Sequence, residues 1–283
     1  MKTRLQVVGD PVGHSLSPDI HDLFATQLGD LVSYGSETLP VGQFKVRADA
    51  FRQAGGTGMN VTVPHKAVAF AYVDLPSVDA RAAKAVNTIH FCADGVCRGH
   101  NTDGQGLVRD LSNRWGVDLA QASVLILGAG GATRGVVLPL FDAGVGSILI
   151  ANRTLDNANR LCADLRRYVP ARAQLKSVAM TADLTDQDVD LVINATSAGL
   201  AGQDLALPIS IKQLESTFCY DMSYGPNAAF HKQMSGQAKQ SVDGLGMLIE
   251  QAALSYEIWL GRRPDTNPVY DAILARLADK EGL

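Results

Sequence analysis

One run of residues constrains this chain more than any other. The apolar segment Ala122-Ser-Val-Leu-Ile-Leu127 passes without a break into Gly128-Ala-Gly-Gly-Ala-Thr133. A short buried strand that turns through glycines into a helix opens a βαβ unit, because glycines allow the tight turn and the close approach of a pyrophosphate to the helix N-terminus. Thr133 stands where a strict G-x-G-x-x-G would have its third glycine, so the loop alone is a weak signal. Further apolar strands are predicted at Ser147–Ala151, Leu175–Ala179, Asp190–Ala195 and Phe218–Met222 with helices between them, the alternation of a doubly wound parallel sheet. Pro139 falls inside the first of those helices and is expected to kink it.

Upstream, the patterning is strand and helix again. Arg4–Val8 is short and apolar, Gly9-Asp10-Pro11 is a turn, and Ser17-Pro18 reads as an N-cap followed by a helix to Leu28. A strand over Val32–Leu39, a helix over Phe44–Gln53 and a strand over Met59–Val63 follow. Ala85–Phe91 and Val96–Gly99 flank Ala93-Asp94-Gly95 and predict an antiparallel hairpin at one edge of a mixed sheet. Asp103–Trp115 reads as a helix, and the tail as two more, Gly246–Leu260 and Pro268–Ala278. With 283 residues the chain is long for one core and suited to two. The expected fold class is therefore α/β with two domains.

Composition narrows the function. Hydrophobic residues at 46% and charged ones at 19% describe a packed globular protein. A net charge of -4 without any Lys/Arg run excludes binding to nucleic acid by phosphate neutralisation. No apolar stretch approaches the ~20 residues of a membrane span, and the first residues reach Gly9-Asp10-Pro11 before any signal core develops. A cytoplasmic protein without a membrane partner is expected. The four cysteines form no Cys-x-x-Cys pair and the six histidines show no ligand spacing, so no metal is expected and the thiols are read as buried or idle.

The end of the second strand of the glycine-loop unit sets the cofactor. Sites that prefer NAD place an acid there for the ribose 2'-hydroxyl, whereas this chain has Asn152-Arg153-Thr154. A guanidinium and a hydroxyl suit a 2'-phosphate, so NADP is the expected cofactor. Asn194-Ala-Thr196-Ser197 ends a later strand, and its two hydroxyls either line the cofactor or cap the next segment. In the first domain Ser15, Ser17, Asn60, Thr62, Lys66, Asn87 and Asn101-Thr-Asp103 gather at strand ends and turns. Such a set of hydroxyls, amides, one lysine and one carboxylate suits a small polyhydroxylated acid, whose carboxylate Ser15 and Ser17 could hold at a helix start.

These segments resemble one family over essentially the whole chain. Ser15-Leu-Ser17, Asn60-Val-Thr-Val-Pro-His-Lys66, Ala85-Val-Asn-Thr88, Asn101-Thr-Asp-Gly104, Gly128-Ala-Gly-Gly-Ala132, Asn152-Arg-Thr154, Asn194-Ala-Thr-Ser197 and Asp243-Gly-Leu-Gly-Met247 occur in the order seen in shikimate dehydrogenases. The resemblance implies hydride transfer from NADPH to 3-dehydroshikimate in the route to aromatic amino acids. It implies a substrate-binding domain over 1–104, completed by C-terminal helices at about 245–283 that pack back on it, and a Rossmann-like NADP domain over 105–244. Carried onto matching positions, the substrate residues are Ser15, Ser17, Asn60, Thr62, Lys66, Asn87, Asp103, Tyr224 and Gln251, with Lys66 and Asp103 as the catalytic pair. The NADP contacts fall on Gly128, Ala129, Gly130, Gly131, Ala132, Asn152, Arg153, Thr154, Thr196 and Ser197, and on Met222, Gly244 and Met247 near the nicotinamide. A homodimer is the expected assembly.

Two departures stand out. Asn157, preceded by Asp156, occupies the position of a second arginine found in many members, with Arg134 a candidate to compensate. Lys84 replaces the usual glycine before Ala85-Val-Asn-Thr88 and is read as a surface charge. His65 competes with Lys66 as an acid/base, but neighbours on a strand point oppositely and the motif favours Lys66. Two roles stay open for Lys66, proton transfer or electrostatic stabilisation of a developing oxyanion. The alternatives in function are a quinate or quinate/shikimate dehydrogenase, against which Ser17 and Arg153 speak, and a non-catalytic NADP-binding regulator, against which Lys66 and Asp103 speak.

Overall fold

The computed structural model describes residues 2–196 and 214–281. Two compact units result, Met1–Gly106 with Leu248–Leu283, and Leu107–Met247. The first contains β1 (Thr3–Gly9), α1 (Ser17–Leu28), β2 (Val32–Thr38), α2 (Phe44–Gln53), β3 (Gly58–Val61), α3 (Lys66–Tyr72), β4 (Leu75–Pro76), α4 (Val78–Ala83), β5 (Thr88–Phe91) and β6 (Cys97–His100), and α5 (Asp103–Arg109) starts in it. The second contains β7 (Ser123–Leu127), α6 (Gly131–Asp142), β8 (Ser147–Asn152), α7 (Leu155–Leu165), β9 (Gln174–Ala179), β10 (Leu191–Asn194), β11 (Phe218–Asp221), α8 (Ala229–Met234) and β12 (Gln240–Val242). The chain ends in α9 (Leu245–Leu260) and α10 (Asn267–Glu281).

The sheet of the first unit has the order β2-β1-β3-β5-β6-β4. Its β1 pairs in parallel with β2 and β3, while β3, β5 and β6 run antiparallel to their neighbours in turn. Successive side chains of a strand face opposite ways, so Leu5 and Val7 join one cluster with Tyr34 and Trp259, and Val8 joins the other with Phe44, Met59 and Ile89. Both faces are therefore covered. The C-terminal helices provide part of that cover: the Trp259 indole N–H donates to the Ile89 carbonyl at 2.8 Å, and α10 packs on α1. Antiparallel register sets Asn60 opposite Thr88 and Thr88 opposite His100.

In the second unit all six strands are parallel, in the order β12-β11-β10-β7-β8-β9. The order runs outward in both directions from β7 and β10, and this topological switch point is where ligands bind in open α/β sheets, beyond the carboxyl ends of the strands. The glycine loop leaves β7 and the Asn194–Thr196 segment leaves β10, one on each side of that point.

Several elements differ from the sequence expectation. The helix from Asp103 is α-helical only to Arg109 and then widens into a π-helical turn over Asp110–Arg114, a distortion that accompanies the burial of Asp110. Ser17 is the first residue of α1 rather than its cap; Leu16 takes the cap position, and the Ser15 hydroxyl accepts the Ser17 N–H at 3.2 Å. His65 lies not on a strand but in the turn that starts α3. Helix α6 continues through Pro139 to Asp142, at the cost of the hydrogen bond that residue 139 cannot donate to the Gly135 carbonyl.

Lys84 ends α4 with φ of 50°. Its N–H bonds the Arg81 carbonyl and that of Ala85 bonds the Ala80 carbonyl, the Schellman pattern in which glycine is preferred because a Cβ is strained at positive φ. The exposed lysine therefore carries a backbone penalty. Lys84→Gly is expected to stabilise the protein by about 0.5–1 kcal/mol, seen as a higher denaturation midpoint. An unchanged or lower midpoint would show that contacts of the lysine side chain outweigh the backbone term.

Candidate active site

In the first unit Lys66 begins α3 and Asp103 begins α5, and their side chains meet with Nζ 2.6 Å from Oδ2. The pair is only partly buried, at 29% and 21% exposure, so it remains open to a ligand. The other carboxylate oxygen, Oδ1, accepts from Asn87 Nδ2 at 2.8 Å. Asn87 is buried just ahead of β5, and its Oδ1 accepts the Thr102 N–H at 2.9 Å. Gln251 from α9 joins through Oε1, which receives Asn87 Nδ2 at 3.2 Å and the Thr102 hydroxyl at 3.3 Å. Lys66, Asn87, Asp103 and Gln251 thus form one connected polar network.

Asn60 is turned inward. Its Oδ1 accepts the Tyr34 hydroxyl at 2.6 Å, and Nδ2 faces the Asn87 carbonyl, the Thr88 hydroxyl and the Ser255 hydroxyl at 3.1–3.2 Å. With 6% exposure and both amide atoms engaged, it is a strut between β3, β5 and α9. Tyr34 in turn stacks on His21 of α1, ring centroids 4.1 Å apart, and burial pushes the His21 imidazole down to about 3, which keeps it neutral. Ser17 is buried near the Tyr34 phenol, while Ser15 and Thr62 are half-buried. His65 is buried, with its Nε2 on the Leu39 carbonyl and its ring beside Phe44; its burial, and not strand alternation, removes it from the acid/base role.

Sequence reading passed over Tyr34, Thr88 and Ser255. The Ser255 hydroxyl contacts Asn60 Nδ2 at 3.1 Å, Thr88 Oγ1 at 2.7 Å and the Gln251 carbonyl at 3.0 Å. The available signal was helical spacing, since Ser255 follows Gln251 by four residues and shares its face.

In the second unit, Gly128 has φ of +100°, and a Cβ there would lie 3.0 Å from Thr196 Cγ2, so only glycine suits the turn. The Thr133 side chain is fully buried, and its hydroxyl donates to the Gly128 carbonyl at 2.7 Å; the missing third glycine is replaced by a bond that closes the loop. Gly130 caps α6 and Gly131 starts it, with open space beside both Cβ positions. Asn152 Oδ1 accepts the Ala129 N–H at 3.1 Å and its Nδ2 donates to the Thr154 carbonyl at 2.8 Å, which joins Gly128–Ala132 to Asn152–Thr154. Arg153 is exposed, and among the described residues it makes no ion pair. Arg134 Nη2 is paired with Asp164 at 2.7 Å, while its Nη1 is buried without a hydrogen-bond partner among the described residues.

Asn194 Oδ1 accepts the Thr196 N–H and hydroxyl at 3.1 and 2.7 Å, and its Nδ2 donates to buried Asp221 at 3.0 Å. Ser197 lies outside the described residues. Asp243 accepts the N–H groups of Gly225 at 2.9 Å and Leu245 at 3.1 Å, while the Gly244 N–H bonds the Ser223 carbonyl at 2.9 Å. Met222 and Tyr224 follow directly on the carboxyl end of β11, and these bonds hold Gly244 beside the Met222 carbonyl. Burial pushes the Tyr224 phenol up, and Asp243 adds to the shift. Among the described residues no group of His, Cys, Asp and Glu is placed to hold a metal ion, and no helix is long and apolar enough to cross a membrane.

The open glycine cradle at a helix N-terminus, next to a free guanidinium, fits a phosphorylated dinucleotide. Together with a partly buried lysine–carboxylate pair in a separate polar network, it defines a dinucleotide-dependent oxidoreductase. Three family models match: the shikimate dehydrogenase substrate binding domain over residues 7–89, shikimate / quinate 5-dehydrogenase over 110–224, and the shikimate 5'-dehydrogenase C-terminal domain over 244–274. A shikimate dehydrogenase (NADP(+)) of Aromatoleum aromaticum is 44% identical over 280 residues, which span 97% of this chain and 98% of that protein. An Ael1 enzyme from Pseudomonas putida superposes with a TM-score of 0.88 at 38% identity, covering 96% of this chain and 98% of that one. A shikimate 5-dehydrogenase from Thermus thermophilus, solved with NADP(H) and shikimate, superposes with a TM-score of 0.80 at 31% identity, over 95% and 98% of the two chains. The chain belongs to the shikimate dehydrogenase family.

Proposed function

We propose that this chain interconverts 3-dehydroshikimate and shikimate, with the substrate held by the first unit and NADP by the second. The chain is an NADP-dependent oxidoreductase of its family. The observation that carries the site assignment is the Lys66–Asp103 contact at 2.6 Å, with Asn87 fixing the second carboxylate oxygen. When bound, NADPH supplies the hydride. The Lys66 ammonium meets the oxygen that gains negative charge and the proton, and Asp103 orients that ammonium and accepts from the product hydroxyl. Asn87 holds Asp103 and, with Gln251, the neighbouring substrate hydroxyls, with Thr62 and Tyr224 as further donors. Ser15 and Ser17 take the substrate carboxylate at the start of α1. Asn60, whose amide bonds Tyr34, Thr88 and Ser255, positions β3 against β5, and the second lone pair of its Oδ1 is left for a substrate hydroxyl.

For the cofactor, Gly128–Ala132 take the pyrophosphate, Asn152, Arg153 and Thr154 the adenosine ribose 2'-phosphate, and Thr196, Ser197, Met222, Gly244 and Met247 the nicotinamide side. The described cysteines Cys92, Cys97, Cys162 and Cys219 are all free thiols, which supports the reducing cytoplasm as the place of action. A homodimer completes the reading, and light scattering reads it as a mass of about twice that of one chain. The deciding assay is a panel of shikimate and quinate with NADP and NAD. Fastest turnover is expected for shikimate with NADP; equal turnover of quinate would make the chain a quinate/shikimate dehydrogenase, and no turnover of either would leave a binding protein.

A further inference from the structure

Helix α7 begins directly after Thr154, so its first turn flanks the loop assigned to the 2'-phosphate. Asp156 puts a carboxylate in that turn, and Asn157 follows it. A phosphate beside Asp156 and only one arginine would be poorly compensated. Of the other arginines of this unit, Arg134 is paired through Nη2 with Asp164 at 2.7 Å, and Arg166 lies at the far end of α7, where it donates to the Ala173 and Leu175 carbonyls at 3.1 and 2.6 Å.

Arg160 is placed differently. Residues 156, 157 and 160 share one side of the helix, and helical side chains lean toward the N-terminus. The exposed guanidinium of Arg160 accordingly reaches back, with Nη2 2.8 Å from Asn157 Oδ1 and Nε 3.3 Å from the Asp156 carbonyl oxygen. The opposite face of α7, Ala158, Leu161, Cys162 and Leu165, is buried, so nothing ties the arginine to the core. Asn157 Oδ1 is taken up by the guanidinium, which leaves the two Nδ2 hydrogens as the atoms this amide can donate.

Resting on the assignment of the Asn152–Thr154 loop to NADP, we propose that Asn157 and Arg160 act as one unit in place of a second arginine: Asn157 Nδ2 donates to the 2'-phosphate, and Arg160 fixes that amide and supplies the second positive charge. Both are specificity-determining residues for NADP over NAD. Neither is a catalytic residue.

The test is calorimetric binding of adenosine 2',5'-bisphosphate and of adenosine 5'-monophosphate to the whole protein at fixed salt, because exposed charges are screened over ~8–10 Å at ordinary ionic strength. The quantity read is the ratio of the two affinities. Arg160→Ala and Asn157→Ala are each expected to lower the ratio about 5- to 10-fold by weakening only the bisphosphate, the size of one exposed charge-assisted contact. Arg153→Ala, which tests the underlying assignment, is expected to lower it at least as much. If Arg153→Ala lowers the ratio and Arg160→Ala does not, the proposed pair is overturned while the loop assignment stands. If none of the three variants changes the ratio, both fall. Equal weakening of the two nucleotides by Arg160→Ala marks a disturbed helix and also overturns the pair.

Discussion

Lys66→Ala and Asp103→Asn are each expected to lower kcat by ~100- to 10,000-fold, the usual contribution of a positioned acid/base group, while NADP binding stays close to that of the native protein. The reason is geometric. Lys66 Nζ and Asp103 Oδ2 are 2.6 Å apart in a network completed by Asn87, just ahead of β5, and Gln251 of α9, so losing either end removes a group from the proposed reacting oxygen without emptying the core. Steady-state kinetics with shikimate and NADP reads the effect; a variant that keeps kcat and loses only KM carries a binder at that position and not a catalytic residue. Lys66→Arg separates the two roles of the lysine. Guanidinium keeps the charge and does not deprotonate in proteins. A rate near that of Lys66→Ala therefore assigns proton transfer to the ammonium, and a substantially retained rate assigns electrostatic stabilisation.

How much of this was legible in the sequence depended on where each signal lay. The strands β7, β8, β10 and β11 were readable because a parallel sheet buried on both faces leaves unbroken apolar runs such as Val124–Leu127. Two of the edge strands left no such trace. Gln240–Val242 and Leu75–Pro76 are strands only because a neighbour pairs with them, and neither shows an alternating or apolar pattern. The chemistry-bearing residues of the motifs were readable by type and order, and the structure brings Lys66, Asn87, Asp103 and Gln251 into one network. What supports them was not. Ser255 bonds Asn60 across 195 residues of sequence and Thr88 across 167, a relation that follows from sheet register and the return of α9, neither of which a local pattern encodes. Asp110 likewise carries no signal of its own within the predicted helix Asp103–Trp115. Only the three-dimensional arrangement shows it fully buried in a widened turn, accepting from Tyr220 at 2.7 Å, Arg114 at 3.0 Å and Trp115 at 3.3 Å.

That buried acid explains why the second glycine of Asp243-Gly-Leu-Gly-Met247 is a glycine. A Cβ at position 246 would overlap the Asp110 carboxylate, and neither partner can yield cheaply. Position 246 is fixed in the first turn of α9, while Asp110 is fixed by three bonds, and burial already pushes its carboxyl up to about 6. Gly246→Ala is therefore expected to cost at least about 3 kcal/mol, combining overpacking with the displacement of a paired buried carboxylate, and to lower the thermal midpoint by on the order of 10 °C. Helix propensity does not oppose the substitution, since alanine is the better helix former, so the loss of stability expected here comes from the clash. A double-mutant cycle isolates it. Asp110→Ala alone removes the acceptor of the Tyr220 hydroxyl and of Arg114 Nε and is also destabilising, but with the carboxylate gone the methyl group has room. Asp110→Ala/Gly246→Ala should then be more stable than the sum of the single losses predicts by about 1–3 kcal/mol, the range of coupling between residues in contact. Strict additivity, or a Gly246→Ala variant as stable as the native protein, would show that the carboxylate moves aside at little cost and that position 246 needs glycine for another reason or not at all.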